Sequence, residues 1–143
     1  MTLSSPTSPL ANPTVWTLEP GLKLIRFYNP TDAAWNVQRF LGPLSYMRFD
    51  HHLPPPGTSP DRSVWYAATS LTGALVESFG NTGVVDRGCG RHVVVAEVTH
   101  QIYAVDLAGL AARRVALTQE IGSATDYSKT QEWARAFYDQ YST

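Results

Sequence analysis

From Leu22 the chain alternates, setting Leu22, Leu24 and Arg26 against Lys23, Ile25 and Phe27 before Asn29-Pro30. That two-residue period predicts a strand closed by a turn. "DAAWNVQRFLG" (32–42) predicts a short helix ended by Gly42, with Trp35 and Phe40 as its apolar contacts. "YMRFDHH" (46–52) predicts a second short strand, and the three successive prolines of "LPPPGTSPD" a loop. "VWYAAT" (64–69) predicts a further strand that passes through Thr69 and Ser70 into a helix, "LTGALVES". A glycine-rich loop, "GNTGVVDRGCG", then leads into "RHVVVAEV", whose unbroken Val and Ala run predicts a strand covered on both faces. "QIYAVDL" is expected to pair with that strand or to continue it past a bend. "LAGLAARRV" and "YSKTQEWARAFYDQY" read as helices, the second with Trp133, Phe137 and Tyr141 on one face at a spacing of four. With no internal repeat, these elements predict one α+β domain with a mixed, partly split sheet flanked by helices.

On a helical wheel Leu71, Leu75 and Phe79 form a stripe that predicts the core face of the helix after Ser70. Glu77 points elsewhere, and its angular neighbours are Ser70, Gly73 and Ala74, small residues that leave room for something large. Periodicity by itself reads Glu77 as part of a solvated face.

At 143 residues and 43% hydrophobic content the chain is long enough for a real core. Its net charge of -1 provides no global attraction to nucleic acid or anionic membrane, so a bound anion needs individually placed arginines. No apolar run approaches the roughly 18–20 residues that cross a bilayer, and the start of the chain has no signal-peptide pattern. The Ser, Pro and Thr of "MTLSSPTSPLANPTVW" predict a flexible leader over residues 1–14, with the domain at 15–143. A single cysteine, Cys89, excludes an intrachain disulfide and suits the reducing cytoplasm. Arg87, Arg91 and His92 stand near it in sequence and would favour a thiolate, but no second Cys or Cys/His pairing supports a nucleophile. Adjacent His51 and His52, on a strand, would face opposite ways and hold no common ion, so no metal is expected.

Taken together, "LIRFYNP", "YMRFDHH", "VWYAAT" and "LTGALVES" resemble the RES-domain family. That family has an Arg at the end of an early strand, a second Arg in a Gly-Arg-Phe/Trp element, a "vYxA" strand and an acidic residue in an "AlxE" helix. These positions match Arg26, Arg48, Tyr66 and Glu77, and "VVVAEV", "VDL" and "DYSKTQEWA" extend the resemblance over most of residues 22–138. Two features depart from the pattern: Met47 replaces the glycine, and "HHLPPPGTSPDR" is a long insertion. The family's serine lies on a strand beyond the "TQxWA" helix, in a "dGixYxS" segment. Neither Ser123 nor Ser142 matches it, so either the sequence is truncated or this last element of the site has been lost.

The resemblance implies a fold similar to ADP-ribosylating toxins, and a toxin of a toxin–antitoxin pair that consumes NAD as its substrate without a metal. Glu77 would then be catalytic together with Arg26 and Tyr66. Arg26 and Arg48 would hold the pyrophosphate, and Phe27, Tyr28, Phe49 and Tyr66 would wall the nicotinamide and ribose. "GCGRHV" lacks the third glycine of a dinucleotide-binding turn and precedes a strand, so NAD would lie in a cleft. The products would be those of hydrolysis, phosphorolysis or ADP-ribosyl transfer to a protein. The implied partner is a small helical, Xre-like antitoxin carrying the DNA-binding element. The alternative is an inactive relative that binds a nucleotide or antitoxin without turnover. Apart from the resemblance, arginines at strand ends are usually solvated or ion-paired, and Tyr66 beside Trp65 reads as core. The enzymatic reading expects Arg26, Arg48, Tyr66 and Glu77 to line one concave site.

Overall fold

A computed structural model describes residues 3–6, 10, 13–31, 39–80, 83–86, 88–115, 117 and 119–141. Its elements in chain order are β1 (Val15–Leu18), β2 (Lys23–Tyr28), β3 (Arg39–Leu41), β4 (Ser59–Val64), α1 (Leu71–Phe79), β5 (His92–Glu97), β6 (Ile102–Val105), α2 (Gly109–Arg114), a 3-10 turn (Gln119–Gly122) and α3 (Ser128–Tyr141). This is the α+β composition expected. The mixed sheet is not found: the described strands form three two-stranded sheets, β1 with β6, β2 with β5 and β3 with β4. The chain divides into two compact units, one made of residues 1–16, 40–64 and 104–143 and the other of 17–39 and 65–103.

In the unit of residues 17–39 and 65–103, β2 runs antiparallel to β5, with Lys23 opposite Glu97 and Tyr28 opposite His92. Lys23 and Glu97 form a surface ion pair, which contributes little in water. Ile25 exchanges two backbone hydrogen bonds with Ala68, at 2.7 and 2.8 Å. This isolated bridge ties the segment before α1 to β2. Helix α1 starts where the Ser70 side chain accepts from the Gly73 N–H at 3.1 Å, satisfying one of the donors left over in a first turn. It packs on β2 through an edge-to-face contact of Phe79 with Phe27, 5.5 Å between ring centres. Its buried residue is Ala74, whereas Leu71, expected in the core stripe, is exposed because it lies in the first turn. The expectation that β5 is covered on both faces also fails, since Val93 and Val95 are more than half exposed. Among the described residues α1 is the one helix of this unit, and one helix covers one face of a sheet.

The other unit is built on α3. Trp133, 1% exposed, is surrounded by Leu3, Leu10, Ala112, Val115, Leu117 and Ile121, with Phe137 packed alongside. The Trp133, Phe137 and Tyr141 rings follow one another along the helix at 5.8 and 6.3 Å, so the stripe read from spacing is the packed one. The described residues of segment 1–14 have defined partners there: Trp133 Nε1 donates to the Ser4 carbonyl at 2.8 Å, and the Leu10 N–H donates to Gln140 Oε1 at 2.8 Å.

Three local expectations change. "YMRFDHH" is a turn, because Asp50 Oδ2 accepts from the backbone N–H of both Tyr46 and Met47 at 3.0 Å, withdrawing the donors a strand would use. The strand expected at "VWYAAT" lies upstream as β4, and Ala68 keeps only its bridge to Ile25. Contacts with α3 hold β4 in place: Arg62 lies 4.5 Å over the Tyr138 ring and pairs with Asp139, and Tyr138 Oη donates to the Asp61 carbonyl at 2.8 Å. "QIYAVDL" supplies β6, which pairs with β1 and not with β5. The helix expected at 32–42 falls mostly outside the described residues, and its described end, Arg39–Leu41, is strand β3.

Candidate functional site

The expected site residues divide between the two units. Arg26, Phe27, Tyr28, Tyr66 and Glu77 belong to one, Arg48 and Phe49 to the other. Along β2 the pleat alternates, so Arg26 and Phe27 leave opposite faces. Phe27 meets Phe79 of α1, while the Arg26 guanidinium lies 5.7 Å from the centre of the Trp65 ring. Arg26 is half-buried, and burial lowers its pKa, though an arginine stays cationic at neutral pH. Tyr28 meets His92 edge-to-face at 5.8 Å. Tyr66, 41% exposed, stands two residues before the Ala68 bridge, so it is not the core residue its place beside Trp65 suggested.

Glu77 is exposed on α1, and its carboxylate makes no hydrogen bond or ion pair among the described residues. About 60° from it on the helical wheel is Ala74, 4% exposed, so the carboxylate stands at the rim of the packed face. The helix end that carries it is clamped. Arg91 Nη1 donates to the Ser78 carbonyl at 2.9 Å, and the Arg91 guanidinium lies 5.2 Å over the Phe79 ring. A cation on the last carbonyls satisfies the helix terminus and complements its dipole. Sequence reading placed Arg91 beside Cys89 instead. Cys89 is exposed, and Arg87 lies outside the described residues.

Arg48 is held by the segment before α3. Its Nη1 donates to the carbonyls of Ile121 at 3.0 Å and Ala124 at 2.9 Å, and its guanidinium lies 4.8 Å over the Tyr127 ring. Thr130 Oγ1 donates to the Arg48 carbonyl at 2.7 Å. Phe49 packs against the core around Trp133. A cavity of about 270 Å³ opens nearby, lined in part by Ser45, Asp50, His52, Glu132 and Arg135, and none of the expected site residues lines it.

His51 and His52 do not sit on a strand. Both are buried: His51 stacks on Tyr138 at 4.2 Å, and His52 Nε2 lies 2.7 Å from the Gly42 carbonyl. Among the described residues no group of three His, Cys, Asp or Glu is placed to hold a metal. Burial, the largest influence, lowers the His51 pKa below its ordinary 6.5; the Phe49 carbonyl and Asp50 oppose it, and Arg62 and His52 add to it. The unfolded chain therefore takes up this proton first. The His51 contribution to stability is whole above about pH 6.5 and is lost as pH falls through the region below it. We expect the urea midpoint to be lower at about pH 5.5 than at about pH 7.5, and the difference to shrink in His51→Gln. A drop of equal size in the variant would assign the acid sensitivity to other groups.

The family model described as RES domain matches residues 25–143, an interval that contains all seven expected site residues. No curated protein and no solved structure gives a significant match. RES domains are in general the toxins of toxin–antitoxin pairs and are associated with NAD. With its strand–helix order, its arginines and the acidic helix of the motif all inside the matched interval, the chain belongs to the RES domain family.

Proposed function

We propose that this protein is a toxin that breaks the nicotinamide–ribose bond of NAD, with a fold similar to ADP-ribosylating toxins. The observation that carries the proposal is an exposed carboxylate, Glu77, on a capped and clamped helix inside the matched interval, the residue that the resemblance pairs with the family's acidic position. Departure of neutral nicotinamide leaves positive charge on the ribose carbon. A carboxylate that accepts a hydrogen bond from a ribose hydroxyl and faces that charge stabilises the transition state. Arg26 and Arg48 are the proposed cations for the pyrophosphate, since a guanidinium makes paired hydrogen bonds to phosphate oxygens. Tyr66, with its accessible ring, is the proposed contact for the nicotinamide or its ribose, and Phe27, Tyr28 and Phe49 complete the aromatic surroundings.

The ribosyl group passes to water, to phosphate or to a protein side chain, giving hydrolysis, phosphorolysis or ADP-ribosylation. An enzyme that drains NAD in its own cytoplasm must be restrained, so the proposed partner is a helical, Xre-like antitoxin. DNA contact falls to that partner, because this chain is weakly acidic. None of the described helices is long and apolar enough to cross a membrane. Incubation of the protein with NAD, with and without phosphate, tests the reading by chromatography of released nicotinamide. Release above the protein-free control is expected. None under either condition, nor with a cell extract as source of acceptors, would remove the enzymatic reading.

A further inference from the structure

Arg48 offers only part of itself to a ligand, and the remainder defines a second residue of the site. Of its five N–H donors, the pair on Nη1 is taken by the Ile121 and Ala124 carbonyls, and one face of the guanidinium is taken by the Tyr127 ring. Among the described residues Nε and Nη2 have no partner, and together they form the side-on fork that matches two phosphate oxygens. Tyr127 is itself fixed. It lies inside the capping turn of α3, where Asp126 Oδ1 accepts from the Ser128 N–H at 2.9 Å. The Tyr127 carbonyl accepts from the Gln131 N–H at 2.9 Å and lies 2.9 Å from Thr130 Oγ1, whose one proton it shares with the Arg48 carbonyl. Gln131 Nε2 also reaches the Met47 carbonyl at 2.9 Å, tying the same helix start to the turn that carries Arg48.

We propose that Tyr127 is a positioning residue: its ring and the Ile121 and Ala124 carbonyls hold Arg48 as a preset fork for a diphosphate. Resting on the proposed action on NAD, this assigns the diphosphate preference to a side chain that touches no ligand. An arginine on a flexible surface loses rotamer freedom when it binds, whereas one already seated on an aromatic face and two carbonyls has lost it beforehand. The gain is confined to ligands that engage the fork. Adenosine and ADP differ by that diphosphate and by nothing else.

Calorimetry on the full chain with ADP and with adenosine tests this. Tyr127→Ala is expected to reduce the preference for ADP over adenosine by about tenfold and to raise the KM for NAD by a similar factor with kcat little changed. Tyr127→Phe keeps the ring and restores the preference. Tyr127→Leu keeps apolar volume without a π face and behaves like Tyr127→Ala, which covers the case of an alanine variant that does not fold. A merely structural role would lower both affinities equally or restore neither with Phe, and either result overturns the proposal. So does an unchanged ADP preference in Tyr127→Leu while the wild type releases nicotinamide, which leaves the NAD reading standing. A wild type that neither releases nicotinamide nor prefers ADP removes the NAD reading, and this inference with it.

Discussion

Replacing Glu77 by Gln is expected to slow nicotinamide release from NAD by about a hundred- to a thousandfold and to leave the unfolding curve where it was. The amide keeps the size and shape of the side chain and removes the charge. Hydrogen bonding to a ribose hydroxyl survives in part, but attraction to the positive ribose carbon does not, so the loss falls on kcat more than on KM. Stability is spared because the Glu77 carboxylate is exposed and makes no hydrogen bond or ion pair among the described residues, and exposed substitutions away from caps and ion pairs stay within about 0.5 kcal/mol. The pairing of a large kinetic loss with an unmoved melt separates this outcome from a general defect. Wild-type turnover in Glu77→Gln would take the carboxylate out of the mechanism. An equal loss of turnover and stability would make Glu77 a structural residue.

The second large effect is on folding. Trp133→Ala is expected to destabilise the protein by about 3–5 kcal/mol, a large part of the roughly 5–15 kcal/mol that holds a domain of this kind together. Trp133 is 1% exposed and is surrounded by Leu3, Leu10, Ala112, Val115, Leu117 and Ile121. These come from two stretches far apart in the chain, residues 3–10 and 112–121, so they cannot close together over the lost indole without moving backbone. Its Nε1–H also satisfies the Ser4 carbonyl, which the truncation leaves without that donor. Trp133→Phe retains most of the apolar volume and is expected to lose much less. Urea unfolding of the three proteins measures the order. A Trp133→Ala midpoint within about 1 kcal/mol of wild type would contradict the burial seen here.

Residues that act through their own element were readable in advance. The span of α1 and the aromatic stripe of α3 depend on spacings of three and four residues, and β2 follows from a period of two. The family motif was readable for the same reason, since it is carried by residue types at short range inside strand and helix. Arg91 on the end of α1 was missed because a cation thirteen residues beyond Ser78 carries no periodic signal. Tyr127 was missed because its role depends on a guanidinium far earlier in the chain.

The sequence by itself therefore determined the α+β composition, the helices α1, α2 and α3, the strand bearing Arg26, and membership of the RES domain family. Only the tertiary structure decided that Asp50 turns "YMRFDHH" away from a strand, that β4 lies upstream of "VWYAAT", that β6 joins β1, and that Arg48 leans on carbonyls 73 and 76 residues away. The division has one physical cause. Periodicity records which face of an element leaves water, a property of neighbours along the chain. The partner of a strand edge, or of a buried donor, is chosen among groups that only folding brings within about 3 Å.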